Sequence, residues 1–417
     1  MSFGNVPRDL CLTSLATTRS IAAKGANGYF SADLKTVGSL LQYQRSPGVW
    51  VTADASLTVP STQLGSLYTL PFNAFSAYFS LNGSILAVGL NALAYGESIV
   101  SIFTNTDGFY TQTTIPIPLS ALNLSFPFTY PPSVSLNDAG DVLALGIPAD
   151  DNYIGAVWLY SLIAGVWTLI GPKIIGVGET GPGLFGNSVS LSGAGNLLAV
   201  GCLQDNNNLG AVYIFNLNNL VAPVFVQKLL GTVANGKFGG GLDLSADGST
   251  LAVSSAFNSQ PILVYTNVNG TWTEQASLNF PLDFMGVGSN SLSADGNILV
   301  LGAATNAVIF YRTPGSSWST GALLPLPYDL LGIPFGYYAS ISHDGNTIFT
   351  SSQFNNNTVG ASWIFTQGPL GTWIQNGPGI IGTGGTPNSY QGMIGTLSGD
   401  GKVVALGNSV KELWIFV

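Results

Sequence analysis

The chain has 417 residues with a net charge of -9, from 11 Lys plus Arg against 20 Asp plus Glu. That balance repels a phosphate backbone and no Lys/Arg cluster offsets it, which argues against nucleic acid as a partner. Charged residues are only 7% of the chain, against about 25% in ordinary globular proteins, so the surface must consist of neutral polar side chains and turn backbone.

The first segment, around Phe3 to Val6, precedes any repeat. It carries no basic stretch leading into a sustained apolar run, so no secretory leader is read here. Self-similarity begins at Ser14 with S-L-A-T-T-R-S-I-A-A-K-G, a degraded copy of a unit that returns as F-S-L-N-G-S-I-L-A-V-G from Phe79. It recurs as V-S-L-N-D-A-G-D-V-L-A-L-G from Val134 and V-S-L-S-G-A-G-N-L-L-A-V-G from Val189. Four further copies start at Asp243, Ser291, Ser340 and Thr396. Taking the aliphatic residue before the turn as an anchor gives Leu15, Leu81, Leu136, Leu191, Leu244, Leu292, Ile341 and Leu397, at intervals of 66, 55, 55, 53, 48, 49 and 56 residues.

Each copy holds a short alternating segment, a turn rich in Asp, Asn and Gly, and an apolar segment, the pattern of a hairpin. A third apolar segment follows, as in A-V-W-L-Y from Ala156 and A-S-W-I-F from Ala361. An aromatic residue then opens a fourth: Trp50, Tyr110, Trp167, Trp272, Trp318 or Trp373. The remaining tryptophans, Trp158, Trp363 and Trp414, fall in third segments, so packing between repeats is their expected role. The uncharged run Ile154–Ile170 is long enough to raise a transmembrane span. The same residues align with a strand, turn and strand of the other copies, with Ser161 and Gly165 at the turn, so a hairpin is expected.

Four strands per unit, repeated radially, describe an all-β, single closed β-propeller over residues 1–417. Eight blades is the favoured count and seven the alternative. The last copy stops at Leu413–Val417 with three strands, and an N-terminal strand around Phe3 to Val6 is expected to complete it and close the ring.

Phe185-Gly186, Phe238-Gly239 and Phe335-Gly336 stand six residues before their anchors. With the A-V-G or L-G ends, these pairs resemble the FG-GAP repeat family, propellers of bacterial and viral surface proteins related in fold to the integrin α-subunit head. Such repeats often hold calcium in a D-x-D-x-D-G loop. The turns here carry one or two carboxylates each, so Asp247, Asp295, Asp344 and Asp400 read as turn residues beside a glycine. No metal or cofactor is expected.

His343, the single histidine, sits in a turn without a nucleophile motif, and Cys11 and Cys202 are far apart, which leaves no triad, zinc set or disulfide framework. The expectation is therefore that the chain is not an enzyme. Carboxylate pairs at Asp138/Asp141 and Asp150/Asp151 have the spacing of turns and loops. Candidate partner-binding residues are Asp150, Asp151 and Asn152, then Asp205, Asn206 and Asn207, then Asn355 and Asn356, in equivalent loops between second and third strands. Sequons at Asn82, Asn123, Asn269 and Asn356 matter only in a secreted protein. The near absence of charge, with mean hydropathy +0.37, favours a structural or interaction protein of an extracellular or virion-surface assembly, with protein partners or self-assembly; a cytoplasmic location is the other option. A lectin-like or receptor-like module that binds a glycan through these loops is the alternative function.

Overall fold

The computed structural model describes residues 76–92, 97–107, 109–115, 130–255, 260–279, 287–303, 306–313, 315–319, 321–330, 335–382, 387–408 and 412–416, and short strands at 22–24, 29–31 and 55–58. Two units separate: residues 1–39, which contribute the antiparallel pair Ala22–Lys24 with Tyr29–Ser31, and residues 40–417. The second unit is a β-propeller of seven four-stranded antiparallel blades. Its inner strands are Ser76–Phe79, Ser133–Leu136, Phe185–Leu191, Phe238–Leu244, Val287–Leu292, Ala339–Ile341 and Ile394–Leu397, in blades 1 to 7 respectively. The count is thus seven, the alternative rather than the favoured eight; Leu15, the anchor of the degraded first copy, lies outside the described residues.

One turn chemistry joins the inner strand to the second strand in every blade. A glycine four residues past the anchor takes positive φ in all seven: Gly83, Gly140, Gly195, Gly248, Gly296, Gly345 and Gly401, at 64–72°, a region open to residues without Cβ. Just after the anchor, a serine or asparagine side chain accepts the N–H that starts the second strand. Ser80, Asn137, Ser192, Ser245, Ser293, Ser342 and Ser398 do this at 2.9–3.1 Å. Asp247, Asp295, Asp344 and Asp400 each accept from that serine's hydroxyl and from a backbone N–H two residues on. They are Asx-type turn residues, and their carboxylates are used within the turn.

These glycines also correct one anchor. In blade 1, Phe79 pairs with Leu86 as Leu136 pairs with Leu143, so Phe79 holds the anchor position. Leu81, two residues later, sits in the turn and is 36% exposed. The S-L-N shared by Ser80–Asn82 and Ser135–Asn137 aligned the copies two residues out of register.

The apolar segments form seven clusters, one at each junction between consecutive blades. Leu143, Leu145 and Trp158 of blade 2 pack with Ala87, Val100 and Ile102 of blade 1, and Trp414 and Phe416 of blade 7 pack with Phe349 and Ile364 of blade 6. Trp272, Trp363 and Trp373 are buried in the same kind of cluster, as expected for aromatic residues that fill the space between twisted sheets. Trp50 lies outside the described residues. The run Ile154–Ile170 is a hairpin between Ala156–Ile163 and Val166–Ile174, turning at Ala164 and Gly165, both at positive φ; Ser161 is within the first strand. No helix among the described residues is long and apolar enough to cross a membrane.

Closure comes from an N-terminal strand, at a different place from the expected one. Ala55–Thr58 pairs antiparallel with Glu412–Phe416, placing Ala55 opposite Ile415 and Thr58 opposite Glu412, and supplies the outer strand of blade 7. Residues 3 to 6 lie outside the described residues. Truncation up to residue 53 keeps the closing strand, whereas truncation up to residue 59 leaves blade 7 with three strands and an open edge. The longer truncation is therefore expected to melt several degrees below the shorter one by calorimetry; equal melting temperatures would remove the closing role of Ala55–Thr58.

Candidate functional site

The seven turns meet around a central channel, and their backbones are bonded into a closed circuit. Leu81 N–H donates to the Asp138 carbonyl, Asp138 to Gly193, Gly193 to Ala246, Asp247 to Ala294, Ala294 to His343, His343 to Gly399 and Asp400 back to Leu81, at 2.6–3.1 Å. Each turn gives one bond to the next blade and takes one from the blade before.

At this mouth Asp138 of blade 2 and His343 of blade 6, three blades apart around the ring, face each other with Oδ1 and Nδ1 3.7 Å apart. Neighbouring turns carry glycine because these side chains lie over them. A Cβ at Gly399 would stand 3.1 Å from the His343 ring, and one at Gly193 would stand 2.4 Å from Asp138 Oδ2. His343, which the sequence places in a turn without a nucleophile motif, is half-buried there and directed at a carboxylate across the mouth.

Behind the mouth lies a cavity of about 260 Å³ lined by the inner strands of all seven blades. The residue before each anchor is Tyr78, Ser135, Ser190, Asp243, Ser291, Ser340 and Thr396: six hydroxyls and one carboxylate. Four of these side chains accept the anchor N–H of the next blade: Ser135 from Leu191, Ser190 from Leu244, Asp243 from Leu292 and Ser291 from Ile341, at 2.7–3.2 Å. One pleat earlier, Ser76, Ser133, Ser188 and Ser289 donate to a carbonyl of the following blade at 2.7–2.9 Å. Small hydroxylated residues are needed here because the inner strands converge and still must satisfy backbone groups across the junction.

Asp243 is the exception in this layer. Besides Leu292 N–H at 2.7 Å it accepts from the Ser190 hydroxyl at 3.3 Å, and it has no cationic partner among the described residues. Burial pushes its carboxyl up to about 7, against which the hydrogen bonds from Leu292, Ser190 and Leu244 work. Tyr78 is held well above its ordinary range, chiefly by burial and then by the Asp243 and Asp138 carboxylates. The signal for Asp243 was present in the sequence: aligned copies read Ser, Ser, Asp, Ser, Ser and Thr before the anchor.

The predicted partner-binding residues occupy three equivalent loops in blades 2, 3 and 6, and the fold does not bring them together. Their first residues, Asp150, Asp205 and Asn355, are buried, while Asn152, Asn206, Asn207 and Asn356 are exposed and Asp151 is half-buried. Asp151, Asn152, Asn206, Asn207, Asn356 and Asn357 are left-handed, with φ of 48–58°, which Asn and Asp tolerate best among residues with a side chain. Tyr153, Asn208 and Thr358 continue the bend at φ of 66–69°, and it delivers a carbonyl to the next blade: Phe185 N–H donates to Ile154, Phe238 to Leu209 and Gln391 to Val359, at 2.8–3.0 Å. Gly155, Gly210 and Gly360 follow the bend, and a Cβ there would stand 2.0–2.2 Å from the carbonyl oxygen of Phe185, Phe238 or Gln391. The Phe-Gly pairs at 185 and 238 are thus half of an interblade clasp.

Charge in these loops follows the outer strands. Asp205 meets Lys228 at 2.7 Å and accepts from Tyr213 and Thr180. Burial alone would raise its carboxyl, but these partners outweigh it and hold the pKa below the ordinary value. Asp150 meets Lys173 at 2.7 Å.

No protein-family model matches the sequence, and no curated protein matches it. Solved structures do match, at 15–16% identity, which establishes the β-propeller fold alone. A chain of the mitotic checkpoint complex superposes with a TM-score of 0.54 over 90% of this chain and 98% of that one. A protein from Lactobacillus plantarum matches at 0.52 over 74% and 84%. The Pseudomonas aeruginosa periplasmic gluconolactonase matches at 0.52 over 79% and 92%.

The last match corrects the expectation that the chain is not an enzyme. That expectation rested on the scatter of ionisable residues along the sequence, yet the same fold carries an enzyme. Here, moreover, the ring brings Tyr78, Asp138, Asp243 and His343 into one cavity from four blades.

The state of Asp243 is open to measurement. Its folded pKa lies above its unfolded value, so its contribution to stability is full below about pH 4 and is lost as pH rises through about 7. Asp243→Asn keeps an acceptor for Leu292 and carries no charge. The variant is expected to gain on the order of 1–2 kcal/mol over the parent between pH 5 and pH 8, a figure discounted because the side chain reaches channel water. Denaturant melts at the two pH values check this, and a constant difference between parent and variant would mean that Asp243 is ionised throughout.

Proposed function

We propose that the chain is a protein-interaction propeller, of FG-GAP type in its interblade clasps, that works within an assembly at an extracellular or particle surface. The observation that carries this reading is the outer rim. Val166 and Val224 on outer strands are 64% and 61% exposed, Val221 beside them 61%, and Leu230 48%. On blades 5 and 6, Leu326 is 59%, Tyr328 73% and Ile374 52% exposed. A rim so apolar, on a chain with 7% charged residues, gains by burial against another protein. The exposed Asn152, Asn206, Asn207 and Asn356 supply polar contacts at the loop end of the same blades.

Light scattering coupled to gel filtration tests the reading with the parent and with a Val166→Ser/Val221→Ser/Val224→Ser variant. The parent is expected to run as an oligomer or to retain a co-purifying protein. The variant is expected to shift toward the monomer at unchanged melting temperature. A parent that is monodisperse, monomeric and partner-free contradicts the proposal.

A further inference from the structure

The channel is a second feature, independent of the rim, and its chemistry limits what it can hold. Its lining includes no Lys or Arg and includes the Asp138 and Asp243 carboxylates, so an anion is repelled. An apolar ligand would leave the Asp243 carboxyl and the Thr396 hydroxyl, both in the lining, facing carbon at the cost of their hydration. A tightly bound metal ion needs several converging ligands, and no group of three or more His, Cys, Asp or Glu is so placed among the described residues. Of the ligand classes left, a neutral molecule dense in hydroxyls is the one that matches the serine and threonine hydroxyls of the lining.

Two observations point the same way. In the layer where Ser135, Ser190 and Ser291 accept an N–H from the next blade, the buried Ser340 Oγ has no partner. Asp243, ringed by hydroxyls and without a counter-ion, offers oxygens on which ligand hydroxyls can converge. Tyr78 and Tyr338 add aromatic surface to the wall, and the cavity, at about 260 Å³, lies just below the ~300–1,000 Å³ of sites for drug-sized ligands.

We infer that the channel binds a small neutral polyhydroxylated ligand of the monosaccharide class, with Asp243 and Ser340 as its hydrogen-bonding partners and the Asp138–His343 pair standing over its entrance. The inner hydroxyl layer selects hydroxyl groups and the carboxylate fixes their orientation. The mouth pair controls passage between channel and solvent.

Titration calorimetry of the full chain with D-glucose, D-galactose and D-mannose tests this, with calcium chloride as a separate titrant. At least one sugar is expected to bind with one site per chain. Asp243→Asn should weaken that binding about tenfold and Ser340→Ala about threefold, both with folded spectra, because neither removes an interblade acceptor. His343→Ala should speed association in stopped flow while leaving the dissociation constant within about twofold. Three results overturn the inference: no heat with any of the sugars, sugar binding indifferent to both channel substitutions, or saturable calcium binding abolished by Asp243→Asn. None of these depends on oligomeric state, so failure here and failure of the rim proposal are separately visible.

Discussion

Everything in the propeller depends on the closed circuit of seven backbone hydrogen bonds that joins the inner turns. A propeller blade cannot bury both faces of its sheet alone, so each must lean on two neighbours, and the ring closes only if the last junction matches the others. The circuit sets that match at the axis. It requires each turn to present one free N–H and one free carbonyl to its neighbours, which the repeated Ser-x-x-Gly chemistry achieves by satisfying the remaining donors within the turn. Seven interblade apolar clusters then fill the wedges outside it, from the Phe79–Leu413 cluster around to that of Phe349 and Trp414.

Much of this was legible in the sequence because the turn is a local structure. Asp247, Asp295, Asp344 and Asp400 use their carboxylates within two residues, so their role could be read without a partner blade. The errors arose where identity depends on distant chain. Leu81 resembles an anchor in its own tripeptide, and only pairing with the second strand shows that Phe79 holds the position. The closing strand Ala55–Thr58 carries no repeat signature, since its place is set by the edge that Glu412–Phe416 leaves open.

The candidate site shows the same division more sharply. The Asn-rich loops stand out in the sequence, and their composition suggests recognition, yet much of it is explained by backbone geometry: three successive residues at positive φ and a buried first side chain that anchors the bend. By contrast, Tyr78, Asp138, Asp243 and His343 are separated by tens to hundreds of residues and share no motif. Closure of the ring alone places them in one channel. The carboxylate of Asp243 at a position otherwise occupied by hydroxyls departs from what ring geometry asks for, and such a departure in a repeat marks where function has been added to architecture.

Amide hydrogen exchange tests the circuit most directly, read at Leu81, Asp138, Gly193, Asp247, Ala294, His343 and Asp400. Turn amides at a solvent-facing mouth ordinarily exchange quickly, whereas amides tied into the element that holds the ring exchange only when the whole propeller opens. All seven are therefore predicted to exchange as slowly as the buried second-strand amides of Leu143, Leu198 and Leu251, and to lose protection together with them in denaturant. Rapid exchange at these turns while the strands stay protected would contradict the account.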